Sequence, residues 1–402
     1  MKKIKTYLLI ILISVVFSLY TFEAYLTISI DRGIYRGFLS SFHVDKKIKL
    51  YKQQTGKDYD TRKKSEIYYD LKKEDENVVV NVYPKTYITK KNKLYPLSGI
   101  SNSKTINCNE NGYYSIYQSD RYGFNNPDSE WDKKEIEYLL VGDSFTHGAC
   151  VNRPNDIASV LRILSKKAIL NLGYGANGSL VEYATLREYL KPNVKNVLWL
   201  FYHNDIIDLD YELNSEILIS YLKDLDFSQN LKFIQKKIDN IEKNEQYNEF
   251  LRSQAQDNKA AQDEKDRKLK NKFLKFIRLN QVKNIFKRDF FTKKDSFTNK
   301  DVYKNLENIL KLVKELSIKN NSNFYFVYLP ELERYKSGYD NNLYNQVKKI
   351  VEELNIPFID IHKEVFKKES NPLKLFPFEL EMHYNVEGYR KVAGAIYKFI
   401  SK

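Results

Sequence analysis

The run from Tyr138 to Gly148 constrains the fold more than any other part of the chain. It reads Tyr-Leu-Leu-Val-Gly-Asp-Ser-Phe-Thr-His-Gly, so a short apolar stretch ends abruptly at Gly142 and small and polar residues follow. Such a pattern is typical of a buried parallel strand that ends at the carboxyl edge of a sheet, where α/β folds place their chemistry. Ser144 then begins the next predicted helix, where free N–H groups and the helix dipole favour negative charge.

Three further segments carry reactive or hydrogen-bonding residues at suitable places. A glycine-rich loop, residues 171–178, has three glycines in six residues, which indicates a backbone that approaches another group closely. Asn204 follows the apolar run 196–202, and its amide can donate to a reacting oxygen. His383 lies near the C-terminus, with Glu381 two residues before it. A nucleophile, a base and oxyanion donors are the parts that acyl transfer needs.

In these four segments the chain resembles the SGNH, or GDSL-type, hydrolase family, which is named for a serine, a glycine, an asparagine and a histidine. The resemblance covers roughly residues 137–205 and 300–402, and the GDSFTHG run is its best match. It implies a flavodoxin-like, three-layer α/β/α fold, and the alternation of apolar strands and amphipathic helices independently predicts a parallel sheet. The chain departs from the family pattern at Ala176, Tyr202, Leu380 and Glu381.

The resemblance also implies a role for each reactive residue. Ser144 would attack an ester carbonyl, and His383 would accept its proton and return it to the leaving alcohol. From the residues alone His203 competes for the role of base, and the resemblance favours His383. Glu381 either orients the imidazole or is a solvated loop acid, in which case a Ser-His dyad remains.

The implied oxyanion hole consists of two backbone N–H groups, at Ser144 and near Ala176, and the side-chain amide of Asn204. Alanine suits the loop position if its φ is negative, because the donor is a backbone group. Losing one such donor typically costs on the order of 10²–10³ in rate. Three neighbours are predicted to organise the turns and the loop rather than to react, and they are Asp143, Gly175 and Asp205.

The N-terminus predicts a location outside the cytoplasm. Lys2, Lys3 and Lys5 precede an uncharged run over residues 6–22, which is short for a membrane span and long for a signal-peptide core. Since neither a small-x-small cleavage site nor a lipobox cysteine follows, residues 1–28 are predicted to form an uncleaved membrane anchor, with a cleaved signal as the alternative. The lysines would keep that end cytoplasmic, so the remaining chain would face the periplasm or the cell surface.

The two cysteines of the chain, Cys108 and Cys150, fit an oxidising compartment. A disulfide between them is expected there, although two separate thiols are the alternative. This disulfide would stabilise the folded protein by roughly 3–4 kcal/mol, and it would tie the N-terminal region to the helix that begins with the serine. No Cys-x-x-Cys or paired histidines at helical spacing occur, so neither a metal nor another cofactor is predicted.

Charge is distributed unevenly along the chain. The net charge of +14 would suit an anionic partner, but no nucleic-acid-binding module is recognisable, and nucleic acid is not predicted to bind. Residues 231–300 hold 19 Lys and Arg against 10 Asp and Glu, within a predicted basic helical insertion over residues 210–299. Its apolar positions recur at helical spacing, at Leu269, Phe273, Phe276, Ile277 and Phe286. That face either packs on the core or lies on a membrane or over the site.

The remaining chain divides into two parts, and its function stays open among three classes. Residues 29–135 are predicted to form a stalk and a small β-containing region with no assignable role, and residues 136–402 the hydrolase domain that the insertion interrupts. The first class is a serine esterase that removes acyl groups, such as acetyl, from a glycan or a small ester. The second is an O-acyltransferase of a surface polysaccharide, and the third a non-catalytic glycan-binding or assembly protein.

Overall fold

A computed structural model describes residues 2–31, 34–88, 93–246 and 300–401. The chain forms two compact units, one of residues 1–50 and 249–298 and the other of residues 51–248 and 299–402. Helices α1 (Lys2–Asp31) and α2 (Ile34–Thr55) begin the chain. Within the described ranges, no helix combines the length and the apolar character needed to cross a membrane. The span predicted over residues 6–22 is therefore not supported by the structure.

The first sheet is small and lies within residues 29–135, ahead of the five-stranded sheet. Helix α3 (Lys64–Lys72) leads into strands β1 (Val78–Val80), β2 (Lys104–Ile106) and β3 (Ile116–Gln118). Strand β1 pairs with β2 in parallel, and β2 pairs with β3 in antiparallel. Residues 107–115 therefore form the tip of a β2–β3 hairpin, which backbone bonds between Asn107, Cys108 and Ser115 continue.

The second sheet has five parallel strands, so the predicted parallel α/β class is confirmed. Its spatial order is β5-β4-β6-β7-β8, so all five strands follow the 2-1-3-4-5 order of the flavodoxin-like arrangement. Strand β4 lies between β5 and β6, so the ends of these three strands are neighbours. The strands are β4 (Ile136–Gly142), β5 (Ile169–Asn171), β6 (Val194–Phe201), β7 (Asn323–Tyr328) and β8 (Phe358–Asp360).

Helices cover both faces of this sheet and give it three layers. The helices are α4 (Ser144–His147), α5 (Ile157–Ser165), α6 (Ser179–Tyr189), α7 (Asn204–Glu212), α8 (Glu216–Lys223), α9 (Lys300–Lys319), α10 (Asn342–Glu353), α11 (Ile361–Glu364) and α12 (Val386–Ile400). Alternate residues of β4 enter two separate cores, because side chains alternate across a strand. Leu139 and Val141 pack with α6, α7, α9 and α10, whereas Tyr138 and Leu140 pack with α5 and α12.

The predicted insertion over residues 210–299 is described only as far as residue 246. Helix α7 runs through its expected start, and residues 235–246 are also helical. Tyr221, Leu231 and Ile238 are fully buried in the core that α6 and α9 share. This part therefore packs on the domain, whereas the basic amphipathic stretch from Leu269 to Phe286 lies outside the described residues.

Candidate active site

The loops that follow β4, β5 and β6 meet at one edge of the sheet, because parallel strands end there together. Hydrogen bonds fix the glycine-rich loop on the serine turn. The Tyr174 N–H donates to the carbonyl of Gly142 at 3.2 Å, and the Asn171 side-chain amide donates to the carbonyl of Thr146 at 2.7 Å. The glycine-rich loop and the serine turn therefore form one connected piece of backbone.

The serine turn is tight and needs its glycine. A Cβ atom at Gly142 would lie 2.2 Å from Thr146 Oγ1 and 2.5 Å from the carbonyl oxygen of Leu200. Asp143 then caps the single-turn helix α4, since its Oδ1 accepts from the Phe145 N–H at 3.0 Å. With only one turn of helix, free backbone N–H groups rather than a long macrodipole supply the positive field at Ser144.

The imidazole of His383 connects the serine to a carboxylate. Its Nε2 lies 2.9 Å from Ser144 Oγ, and its Nδ1 lies 2.8 Å from Glu110 Oε1. The second oxygen of Glu110 accepts the backbone N–H of His383 at 2.9 Å. Because a carboxylate only accepts, Nδ1 carries the proton and Nε2 is free to accept the serine hydroxyl. This is the hydrogen-bond pattern of a Ser-His-acid triad.

The carboxylate in this triad geometry is Glu110 and not Glu381, which the sequence offered for the role. Glu381 lies two residues before the histidine, but the Nδ1 position is occupied by a residue from the β2–β3 hairpin. Glu381 instead adds negative charge near the imidazole. Residues 110 and 383 are 273 positions apart, and the one sequence signal near Glu110 was Cys108, whose expected partner follows the serine turn.

The charges around His383 determine its proton affinity. Burial by itself would lower the pKa of the imidazole, but the Glu110 carboxylate, with smaller contributions from Asp143 and Glu381, raises that pKa above 6.5. The exposed fractions of the two side chains are 11% for His383 and 16% for Glu110, so solvent screens the pair only weakly. The triad geometry thus strengthens the base that would accept the serine proton.

His147 and His203 do not occupy the position of the base. The ring of His147 is buried, stacks on Tyr174 at 4.9 Å, and has its pKa lowered to about 3 by burial. His203 lies just before α7, with its ring 4.6 Å from that of Tyr202. Among the histidines that the structure describes, His383 is the one whose imidazole is bonded to Ser144 Oγ.

Ser144 Oγ has two acceptors within reach. Besides His383 Nε2, the hydroxyl lies 3.1 Å from Asp143 Oδ2. Burial raises the pKa of Asp143, while bonds from the Phe145 N–H and the charge of His383 oppose that rise. Because a hydroxyl has one proton, Ser144 can donate to only one of these two acceptors at a time. Asp143 is therefore a turn residue that also holds the nucleophile in place.

The predicted oxyanion donors all lie on the three loops, but Ala176 and Asn204 have environments that the sequence did not predict. Ala176 has φ of +58°, so the condition of a negative φ is not met, and alanine adopts a left-handed conformation that costs on the order of 1–2 kcal/mol. Gly175 beside it is covered by Tyr83, since a Cβ atom there would lie 2.5 Å from that ring. The loop is therefore held by the N-terminal region.

Asn204 begins helix α7, and its side-chain amide already has one partner. Its Nδ2 donates to Asp208 Oδ2 at 3.1 Å, which leaves the second N–H of the same amide for a ligand. Asp208 in turn forms an ion pair with Lys85. Lys85 lies in a 3₁₀ turn, Pro84–Tyr87, of the N-terminal region, so that region reaches the oxyanion side of the site as well.

Asp205 is buried behind the site and organises its backbone. Its Oδ2 accepts the Tyr202 N–H at 2.8 Å, which shapes the turn between β6 and α7. Burial raises the pKa of Asp205 well above its usual range, and the nearby acids Glu182 and Asp143 add to that effect. These contacts give Asp205 the position of a supporting residue.

Cys108 and Cys150 form a disulfide beside the triad. The Cys150 sulfur lies 3.9 Å from His383 Nδ1. One ligand atom each from Glu110, Cys150 and His383 falls within 4.8 Å of the others, which is close enough to hold a metal ion. However, a disulfide sulfur is not the thiolate that metals bind, and Nδ1 is already bonded to Glu110. The donor set therefore fits a triad and not a metal centre.

Comparisons with known proteins give structural similarity only. No family model and no curated protein match the chain significantly. Two solved structures of G-D-S-L lipolytic family members are similar, from Desulfitobacterium hafniense DCB-2 (13% identity, TM-score 0.35) and Veillonella parvula DSM 2008 (14%, 0.37). Each match covers 66% of this chain and 99% of the other. The psychrotrophic esterase EstA from Pseudoalteromonas sp., inhibited by monoethylphosphonate, is similar at 12% identity and TM-score 0.32, over 66% and 97% of the two chains.

These matches are a likeness in fold to structures of lipolytic proteins and an esterase. Because the sequence identities are 12–14% and the TM-scores are 0.32–0.37, the function is inferred from the arrangement of the site residues themselves.

Proposed function

We propose that the protein is an SGNH-type serine esterase that works through an acyl-enzyme. The observation that carries the proposal is the continuous hydrogen-bonded series from Ser144 through His383 to Glu110. A serine hydroxyl on a histidine that a carboxylate orients is the arrangement that activates serine as a nucleophile. The site edge also offers donors for a developing oxyanion at Ser144, Ala176 and Asn204.

The reaction proceeds in two halves. Ser144 Oγ attacks the ester carbonyl while His383 Nε2 takes the serine proton, and the tetrahedral oxyanion accepts bonds from the three donors. His383 then gives that proton to the leaving alcohol, which leaves an acyl group on Ser144. In the second half, water attacks the acyl-enzyme with His383 again as base, and serine is regenerated. Glu110 stays ionised throughout and stabilises the imidazolium.

The acyl group, the alcohol and the location are part of the proposal. Acetyl esters, including those on O-acetylated glycans, are the substrates to test first. A location outside the cytoplasm, at the periplasm or the cell surface, is supported by the disulfide beside the triad, because disulfides persist in oxidising compartments. The intact triad geometry favours catalysis over a purely glycan-binding role.

The direct test is hydrolysis of p-nitrophenyl acetate by the full chain, with Ser144→Ala as the matched control. We expect turnover by the wild type and a loss of roughly 10⁶-fold in kcat for the variant, because the nucleophile is absent. Equal rates for both proteins would eliminate the serine mechanism.

The same assay separates an esterase from an acyltransferase. A sugar acceptor is added at rising concentration, and both p-nitrophenol release and the fate of the acetyl group are measured. An esterase keeps forming acetate at an unchanged rate. Acetate that falls while acetylated sugar rises would replace hydrolysis by O-acyl transfer, with the same three residues in the same roles.

A further inference from the structure

The tip of the β2–β3 hairpin carries Glu110, and hydrogen bonds within the tip and to a neighbouring segment shape it. The Asn109 side-chain amide donates to the carbonyl of Asp60 at 2.7 Å, and the Gly112 N–H donates to Asn109 Oδ1 at 3.0 Å. These bonds shape the tip, but they leave its distance from the imidazole undetermined. That distance is what decides whether Glu110 reaches His383.

Cys150 bonds the tip on both sides of Glu110. It is bonded covalently to Cys108, two positions before Glu110, and its carbonyl accepts the Asn111 side-chain amide at 3.0 Å, one position after. Its own backbone has φ of +60°, and its sulfur is buried 3.9 Å from His383 Nδ1. Glu110 is therefore held from both sides by one residue, which lies six positions beyond Ser144.

We propose that the Cys108–Cys150 disulfide is a positioning element for the triad, which holds Glu110 on the imidazole of His383. This inference rests on the proposed serine mechanism, and it adds that the triad is complete only in the oxidised protein. Without the covalent link, we expect the remaining hydrogen bonds to let the hairpin tip move away from His383 by the ångström or so that separates a hydrogen bond from none. A misplacement of that size costs on the order of 10²-fold in rate.

The link has a signature that a purely structural disulfide would not give. The charged groups that act on His383 are Glu110, Asp143 and Glu381, and His147 lies near enough for the charge of His383 to lower its own pKa. If the tip withdraws, Glu110 no longer raises the pKa of the imidazole, while the other groups stay in place. The pKa of His383 then falls, and the low-pH limb of kcat/KM moves to lower pH.

The test compares four full-length proteins: wild type, Cys108→Ala/Cys150→Ala, Glu110→Gln, and the triple variant. Leu306→Ala is the matched control, because it destabilises the opposite core without touching the triad. We expect the double cysteine variant to lose on the order of 10²-fold in kcat/KM, and we expect the low-pH limb of its kcat/KM profile to lie at lower pH. In the Glu110→Gln background, the same cysteine changes should cost almost nothing further, since the contact is already lost.

The pKa of His383 can be measured without substrate, so it tests the role of the disulfide independently of the proposed esterase activity. The pKa of His383 is followed by NMR of histidine-labelled protein, with His383→Gln to assign the signal. A lower pKa in the double cysteine variant, but not in Leu306→Ala, supports the positioning role even if no ester is cleaved. An unchanged pKa, or cysteine and Glu110 effects that simply add, would overturn it while leaving a serine esterase intact.

A second route covers the case in which the double cysteine variant does not fold. The folded wild type is treated with the phosphine TCEP, which takes oxygen from water to become its oxide as the disulfide becomes two thiols. We expect the His383 pKa and kcat/KM to fall together and to recover on reoxidation. Reduction that leaves both unchanged would equally reject the inference.

Discussion

The carboxyl edge of the five-stranded sheet and the tip of the β2–β3 hairpin contribute to one site in very different ways. The sheet edge presents Ser144 and Asn204, each within three residues of the end of a neighbouring strand. The hairpin presents Glu110, which belongs to another sheet and meets His383 from 273 positions away. The first contribution is determined by local chain geometry and the second by docking.

This difference shows which parts of a serine site depend on local sequence and which can come from a distant part of the chain. A nucleophile needs a strand, a tight turn and a following N–H, all of which are local. A triad acid needs only to reach Nδ1, and any element that packs beside the histidine can supply it. The N-terminal region does so here, and through Lys85 and Tyr83 it also contacts the Asn204 and Gly175 side of the site.

The largest effect that separates the two carboxylates is expected from Glu110→Gln beside Glu381→Gln. Glutamine at 110 can favour the wrong imidazole tautomer and does not stabilise the imidazolium, so kcat should fall by up to about 10⁴-fold. Glu381→Gln removes only a neighbouring charge and should leave kcat within a few-fold of wild type by the same reasoning. Steady-state kinetics with p-nitrophenyl acetate compares the two variants. A larger loss of kcat in Glu381→Gln would identify Glu381, on the C-terminal loop, as the triad acid.

Asn204→Ala tests the sheet edge at its oxyanion donor. Loss of one donor that acts on the transition state should lower kcat on the order of 10²–10³-fold with little change in KM. Asn214→Ala, at an exposed asparagine after the same helix, is the matched control and should keep the wild-type rate. A rise in KM alone would mean that Asn204 binds substrate rather than the oxyanion.

The pH profile of kcat/KM tests the coupling between the hairpin and the base. Activity needs neutral His383, so the rate should fall about tenfold per pH unit below the pKa of that imidazole. Because Glu110 raises this pKa above 6.5, the wild-type limb should lie above 6.5 and that of Glu110→Gln at lower pH. If the low-pH limb of kcat/KM had the same pKa in both proteins, Glu110 would not control the proton affinity of His383.

The smallest effect is expected from Lys85→Met, at the second contact of the N-terminal region with the site. The change removes the ion pair that holds Asp208, whose carboxylate in turn holds the Asn204 amide. A hydrogen bond worth about 1 kcal/mol corresponds to about fivefold in kcat. This loss in kcat should vanish in an Asn204→Ala background. A loss that persists there would mean that Lys85 does not act through Asn204.

The outcome of the sequence predictions follows the same division. The strand-turn pattern before Ser144 predicts the parallel sheet, because a buried strand and its tight turn are encoded within ten adjacent residues. The same rule placed Glu381 near His383 by adjacency, yet the side chain two residues away is not the one bonded to Nδ1. At Ala176 alanine was expected to suit the loop on the condition of a negative φ, whereas the loop holds this residue at a positive φ.

By itself, the sequence determined the fold class of the larger sheet, the position of the serine and the presence of a histidine after the last strand. Each of these depends on hydrophobic periodicity and turn chemistry, which act over a few residues. Only the tertiary structure decided which carboxylate completes the triad and which lysine supports the oxyanion side. Those contacts depend on how two sheets dock and on one disulfide, and packing between distant segments leaves no local pattern in the chain.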